Sequence, residues 1–184
     1  TKPMFARDSD FLGFAGLVEG LERIASVDLY SRAHERLDWV QLQNVLDNLR
    51  IVIEPAWTEI EGVICWHLPQ HMPVVSGESY GLLQALLNLA QNSHRAVQES
   101  TTRRLDIAVS TERDRAIVRF FDSGPGTLTG MTLFEPFQPG MNGTDLGLYV
   151  SRAILRSFGG DLRFEDRAGT ACFAVELQRL EANG

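Results

Sequence analysis

The sequence predicts an α+β fold: a two-layer sandwich in which a mixed, mostly antiparallel sheet is backed by helices. Three observations carry that expectation. Strand-like alternation comes in neighbouring pairs, at 105–110 with 116–121 and at 161–165 with 170–177, which favours antiparallel pairing. Helical spacing lies between runs of strands without strict βαβ alternation, so a wholly parallel sheet is disfavoured. The chain has 184 residues, 44% of them apolar, enough for one ordinary domain with a real core and a short appendage.

The elements follow in order. Phe14, Leu17, Val18, Leu21, Ile24 and Ala25 recur at spacings of three and four, predicting a helix over 11–30, with Asp8-Ser9-Asp10 as N-cap candidates. Its narrow apolar stripe suits a partner helix; packing onto its own domain is the alternative. A second helix is expected over 39–57, with Val40, Leu42, Val45, Leu46, Leu49, Ile51 and Val52 as its apolar side. A strand is expected over 63–68, then a loop to Pro73. The clearest helical signal runs from Tyr80 to Gln98, introduced by Ser76-Gly77-Glu78. The two strands at 105–121 lead into a glycine-rich region over 122–147, a helix over 148–158 and a stop at Gly159-Gly160. A turn at Arg167-Ala168-Gly169 joins the last two strands. The division expected is an N-terminal helix and linker over 1–38, one folded domain over 39–180 and a tail over 181–184.

Composition narrows the function. A net charge of −7 argues against a binder of nucleic-acid backbones. Of the 17 basic residues only Lys2 is a lysine, and no GxxxxGK[ST] occurs, so Walker-type phosphate binding is excluded. No 18-residue apolar run or secretory leader is visible, which predicts a cytoplasmic domain whatever anchors its parent. The opening Thr1-Lys2-Pro3-Met4 reads as the start of a piece of a longer protein. Cys65 and Cys172 stand in apolar strand-like runs without metal-site spacing, as free thiols would.

Three elements carry chemistry. On the 80–98 helix, Asn88 and Asn92 lie four apart and share a face, with Arg95 nearly a turn beyond. Buried amides are costly without partners, and a carboxamide oxygen is a hard ligand suited to Mg²⁺. Directly after a strand stands Asp122-Ser123-Gly124-Pro125-Gly126, where a carboxylate can accept from an exocyclic amine and glycines admit a flat ring. Gly143-Thr144-Asp145-Leu146-Gly147-Leu148 then opens a helix, whose free N–H groups attract anions. Taken singly, each has a plain structural reading as a solvated helix face, an ordinary turn or a helix cap.

Their order is more specific than any one of them. The sequence resembles the catalytic, ATP-binding domain of bacterial sensor histidine kinases, in the GHKL superfamily. The likeness rests on an N box from Asn88 to Asn92, a G1 box at Asp122 to Gly126, an F box at Leu133-Phe134-Glu135-Pro136-Phe137 and a G2 box from Gly143 to Leu148. It covers about 39–178, and the F box sets it apart from the gyrase, MutL and Hsp90 branches. The resemblance implies ATP and Mg²⁺ as ligands, Asn92 holding the metal and Asn88 standing where gyrase-type relatives keep a catalytic glutamate. It implies Arg95 at the phosphates, Asp122 at the adenine amine, and Gly124 and Gly126 shaping that pocket. Residues 133–145 would form a lid anchored by Phe134 and Phe137. Gly143, Thr144, Leu146, Gly147 and Leu148 would line the triphosphate, and Thr170 would support the adenine end. The implied partners are a dimerisation domain carrying the acceptor histidine, outside this chain, and a downstream response regulator.

Two departures stand out. Asp145 occupies a position usually held by glycine, and the short lid has no basic residue. They favour the rival reading of a non-catalytic GHKL module that docks partners; intact Asn92, Asp122, Gly124 and Gly126 oppose it. His34-Glu35-Arg36-Leu37 only superficially resembles an acceptor box and lies too close to Asn92 in sequence, so His34 reads as a linker residue.

Overall fold

The computed structural model describes residues 38–125, Phe134, 143–167 and 170–180. Five strands form one sheet in the order β2-β4-β5-β7-β6, built from β2 (Val63–His67), β4 (Arg104–Glu112), β5 (Arg115–Asp122), β6 (Asp161–Arg167) and β7 (Thr170–Gln178). β2 runs parallel to β4, and every other neighbour in this sheet is antiparallel. Helices α1 (Leu42–Glu59), α2 (Ser79–Val97) and α3 (Gly143–Ser157) back it. The expected sandwich is therefore present, mixed at one edge only. The expected helix at 11–30 lies outside the described residues.

A second, two-stranded sheet was not anticipated. β1 (Asp38–Gln41) pairs antiparallel with β3 (Val74–Gly77), Asp38 opposite Gly77. The Val75–Arg179 bridge and the Leu180 N–H on the Val74 carbonyl tie this ribbon to the end of β7. The helix expected from Trp39 accordingly begins at Leu42. Its buried stripe is Leu42, Val45, Leu46, Leu49, Ile53 and Trp57, whereas Ile51 and Val52 are 72% and 54% exposed. Pro55 is tolerated inside α1 because it stands on the solvent side, where the lost hydrogen bond is open to water.

α2 is the central helix. Glu78 caps it, its carboxylate accepting from the N–H groups of Tyr80 at 2.9 Å and Gly81 at 2.7 Å. Leu82, Ala85, Leu86, Leu89 and Val97 bury one side against the sheet and the neighbouring helices. Gly81 lets α3 come close: a Cβ there would stand 3.0 Å from the Phe158 ring. α3 ends in a Schellman turn, with the Gly160 N–H on the Leu155 carbonyl and the Gly159 N–H on the Arg156 carbonyl. Gly159 supplies the left-handed residue that turn requires, at φ 74°. A Cβ on Gly160 would lie 2.3 Å from the Glu176 carbonyl oxygen, so the helix end rests directly on β7.

A candidate nucleotide site between two helices and a strand end

The alternation of β5 decides where Asp122 goes. Ala116, Val118 and Phe120 bury one face against the helices, and Asp122, two residues on, points the same way and is only 5% exposed. A buried carboxylate pays for its lost hydration. Burial pushes Asp122 above the usual carboxylate range, and the nearby Ser93 hydroxyl and the Gly124 N–H only partly offset this. The Gly124 N–H donates to Asp122 Oδ1 at 3.0 Å, closing an Asx-type turn. The wholly buried Ser93 hydroxyl stands beside that carboxylate without reaching hydrogen-bond geometry to any partner.

Gly124 is where the strand end meets α2. A Cβ on it would fall 2.8 Å from Asp122 Oδ1, 2.9 Å from the Ala96 Cβ and 3.0 Å from the Ala96 carbonyl. No side chain fits without moving backbone. The residue between them holds the turn: Ser123 Oγ donates to the Thr102 carbonyl at 2.6 Å and accepts from the Arg104 N–H at 2.9 Å. Ser123 gave no signal in the sequence beyond its place in the turn.

The expected Asn88–Asn92 stripe is real, but its two members differ. Asn88 is 8% exposed and donates from Nδ2 to Ser151 Oγ on α3 at 3.0 Å. Asn92 is half-buried, and its amide has no hydrogen-bond partner among the described residues. Arg95 lies exposed a turn further on. Asn92 thus keeps its hydrogen-bonding capacity for a ligand, while one end of Asn88 is spent within the fold.

The glycine segment differs from expectation. Gly143 to Gly147, read as loop, form the first turn of α3, which therefore starts five residues early. Glycine's poor helix propensity hid this turn. Leu146 is half-buried, Gly147 and Leu148 are buried, and the Gly147 carbonyl accepts from Ser151 Oγ at 2.8 Å. Phe134 packs against the core beneath the Arg152 guanidinium, 4.7 Å from its ring centre. Arg152 in turn grips Asp161 with two hydrogen bonds, at 2.8 and 3.3 Å. Burial opposes the charge on Asp161, but Arg152, Arg156 and the Leu162 N–H outweigh it and hold its carboxyl well below the usual range. Thr170 opens β7 opposite Arg167. Gly126, Phe137 and the side chains of Thr144, Asp145 and Thr170 lie outside the described residues.

The arrangement brings Asp122 and Gly124, at the end of β5, against the same helix that carries Asn88, Asn92 and Arg95. The start of α3 closes the Asn88 side. Such a site can accept from an amine at its carboxylate end and offer amide oxygens and helix N–H groups to anions and hard cations at the other.

Known proteins share this fold. The model of the histidine kinase-, DNA gyrase B-, and HSP90-like ATPase family matches residues 77–181, more than half of the chain, and the chain belongs to that family. ATP is the nucleotide such a domain uses. Within the family its likeness lies with the sensor kinases. Over 125 residues it is 34% identical to the sensor protein ChvG of Agrobacterium fabrum, an alignment covering 60% of this chain and 21% of that protein. The alignments cover between 17% and 38% of the length of the curated relatives the chain matches, ChvG, NtrB and CutS among them. The histidine kinase AdeS of Acinetobacter baumannii superposes with a TM-score of 0.70 at 22% identity, covering 97% of this chain and 86% of that one. The histidine kinase ThkA, in a complex with the response regulator TrrA, gives 0.70 at 19% identity, covering 98% and 53%. At these identities the structures establish a shared fold. No helix among the described residues is long and apolar enough to cross a membrane.

Proposed function

We propose that residues 39–180 are the catalytic domain of a sensor histidine kinase and transfer the γ-phosphoryl group of ATP to a histidine on a dimerisation segment. The observation that carries this is the convergence of a buried carboxylate, Asp122 at the end of β5, which has no charged partner among the described residues, with an amide at Asn92 on the adjoining helix that has no hydrogen-bond partner among them. The buried carboxylate of Asp122 carries a desolvation cost that an amine donor would offset, and the Asn92 carboxamide has capacity left for a metal.

In this reading Asp122 accepts from the adenine amine, and Gly124 and Gly126 leave room for the ring. Asn92 holds Mg²⁺ through its carboxamide oxygen, with Asn88 beside it. The metal fits a set of neutral oxygen donors, and when bound it neutralises phosphate charge. Arg95 and the first turn of α3, from Gly143 and Thr144 to Leu146, Gly147 and Leu148, face the triphosphate. Phe134 and Phe137 anchor the intervening segment, and Thr170 supports the adenine end. Asn88 is an amide and not a carboxylate, so it cannot act as a general base toward water, which suits transfer to a side chain. Catalysis then rests on positioning and charge neutralisation, as phosphoryl transfer generally does. A response regulator as downstream partner is supported by the ThkA complex.

A second reading rests on Asp145, a carboxylate in the first turn of α3: a domain that docks partners without turnover. Titration calorimetry with Mg²⁺ and a non-hydrolysable ATP analogue separates the two, on wild type and Asp145→Gly. Micromolar binding by wild type, with acid-labile phosphate appearing on an added dimerisation segment, supports the kinase. Binding by Asp145→Gly alone supports the non-catalytic module.

A further inference from the structure

Ser151 lies in the apolar stripe of α3, wholly buried, with Oγ 2.8 Å from the Gly147 carbonyl oxygen and 3.0 Å from Asn88 Nδ2. A carbonyl oxygen can only accept. The one hydroxyl proton is therefore committed to Gly147, and Ser151 Oγ can only accept from whatever faces it. Of the two ends of a carboxamide, only the NH₂ group donates. The hydroxyl thus reads the Asn88 amide and permits one of its two flips.

We infer that Ser151 is a positioning residue: it fixes the Asn88 carboxamide with nitrogen toward α3, leaving Oδ1 as the end available to a nucleotide-bound divalent cation. The inference rests on the kinase reading above. Among the described residues Asn88 Oδ1 has no hydrogen-bond partner, so no second hydrogen bond orients the amide. The ends of a carboxamide are nearly the same size, and without Ser151 packing alone would not choose between them. A flipped amide would present N–H groups to a cation. Asn92 lies one turn along the same face, so a correctly turned Asn88 sets two carboxamide oxygens on one stripe. The same hydrogen-bond chain runs on to Gly147 and ties the first turn of α3 to that stripe.

The test uses the whole chain with Mg²⁺ and a non-hydrolysable ATP analogue. Removing a group that orients a metal ligand weakens metal binding by about 10–100-fold. In Ser151→Ala the tightening of nucleotide binding by Mg²⁺ should fall by about that factor, while metal-free nucleotide binding stays at the wild-type level. Ser151→Cys fills nearly the same volume with a weak hydrogen-bonding group and should behave alike, which guards against a folding defect in the alanine variant. Independently of any ligand, the Asn88 side-chain NH₂ resonances should exchange slowly with solvent in wild type and lose that protection in both variants. Unchanged Mg²⁺ dependence in both variants would overturn the inference, as would equal losses with and without metal. A wild type that binds no nucleotide with or without Mg²⁺ would overturn the kinase reading and this inference with it.

Discussion

The two ends of the candidate site are held by opposite means. At the β5 end the fold buries one ionisable carboxylate, Asp122, and holds it with backbone: the Gly124 N–H and a turn pinned through Ser123. At the α2–α3 end the side chains buried among the described residues carry no charge. Neutral side chains, Asn88 and Ser151, join two helices and leave Asn92 unpartnered. The difference teaches where electrostatic cost is tolerated. One desolvated carboxylate is tolerated where, in the proposed function, an amine would meet it, whereas the buried side chains described at the other end are neutral.

The sharpest way to break this contrast is at Asn92. Asn92→Ala should reduce Mg²⁺-dependent nucleotide binding by on the order of 100-fold with the circular dichroism spectrum unchanged; full binding by calorimetry would remove the metal from this end. Asp122→Asn comes next. Losing a charged acceptor should weaken nucleotide binding by about 10–100-fold, yet the protein should be no less stable at neutral pH. The sign follows from the raised pKa. Folded Asp122 holds its proton more tightly than the unfolded chain does, so wild type loses stability as pH rises from the ordinary carboxylate range through the raised value. Urea denaturation across that range should show this slope in wild type and its absence in Asp122→Asn.

Gly124→Ala should destabilise the fold by about 1–3 kcal/mol, because its Cβ would meet the buried Asp122 Oδ1 and the Ala96 Cβ and backbone carbonyl instead of a flexible side chain. A neutral result in the same denaturation assay would mean the β5 end is not rigid. The smallest effect is expected at Asp161, outside the site. Asp161→Asn should cost about 1 kcal/mol at neutral pH, since the carboxylate is partly exposed. That contribution is present above the ordinary carboxylate pKa and fades as pH falls toward the depressed one. A constant difference between wild type and variant on acidification would show that Arg152 and Arg156 do not favour the charged form.

The sequence carried the long, periodic elements well. α2 and the β4–β5 and β6–β7 hairpins lie within a few residues of their expected places, because burial on one face imposes a clear period. The misses have physical causes. Asp38–Gln41 form a four-residue strand with a single buried side chain, Val40, which fits a helical stripe equally well. Ile51-Val52-Ile53 is an unbroken apolar run, and only the position of Ile53 over the core distinguishes it from its exposed neighbours. The start of α3 was hidden by two glycines in its first turn. In the candidate site, Asn88, Asn92, Asp122 and Gly124 were legible as motif residues. Ser151 was not, since its partner stands 63 residues away and a serine in an apolar stripe has no periodic signature. Neither was the asymmetry between Asn88 and Asn92, which depends wholly on α3.

The close seat of Gly160 on β7 has a consequence for how this helix can vary. α3 is pinned at one end by that backbone contact and, nine residues earlier, by the side chain that meets Asn88. An α-helix turns about 100° per residue. One residue inserted or deleted between the two pins would swing Ser151 a quarter-turn or more off its partner, with no slack at the glycine to absorb it. The helix behaves as a keyed shaft: its outward positions can be exchanged in kind, while its residue count between the pins is fixed.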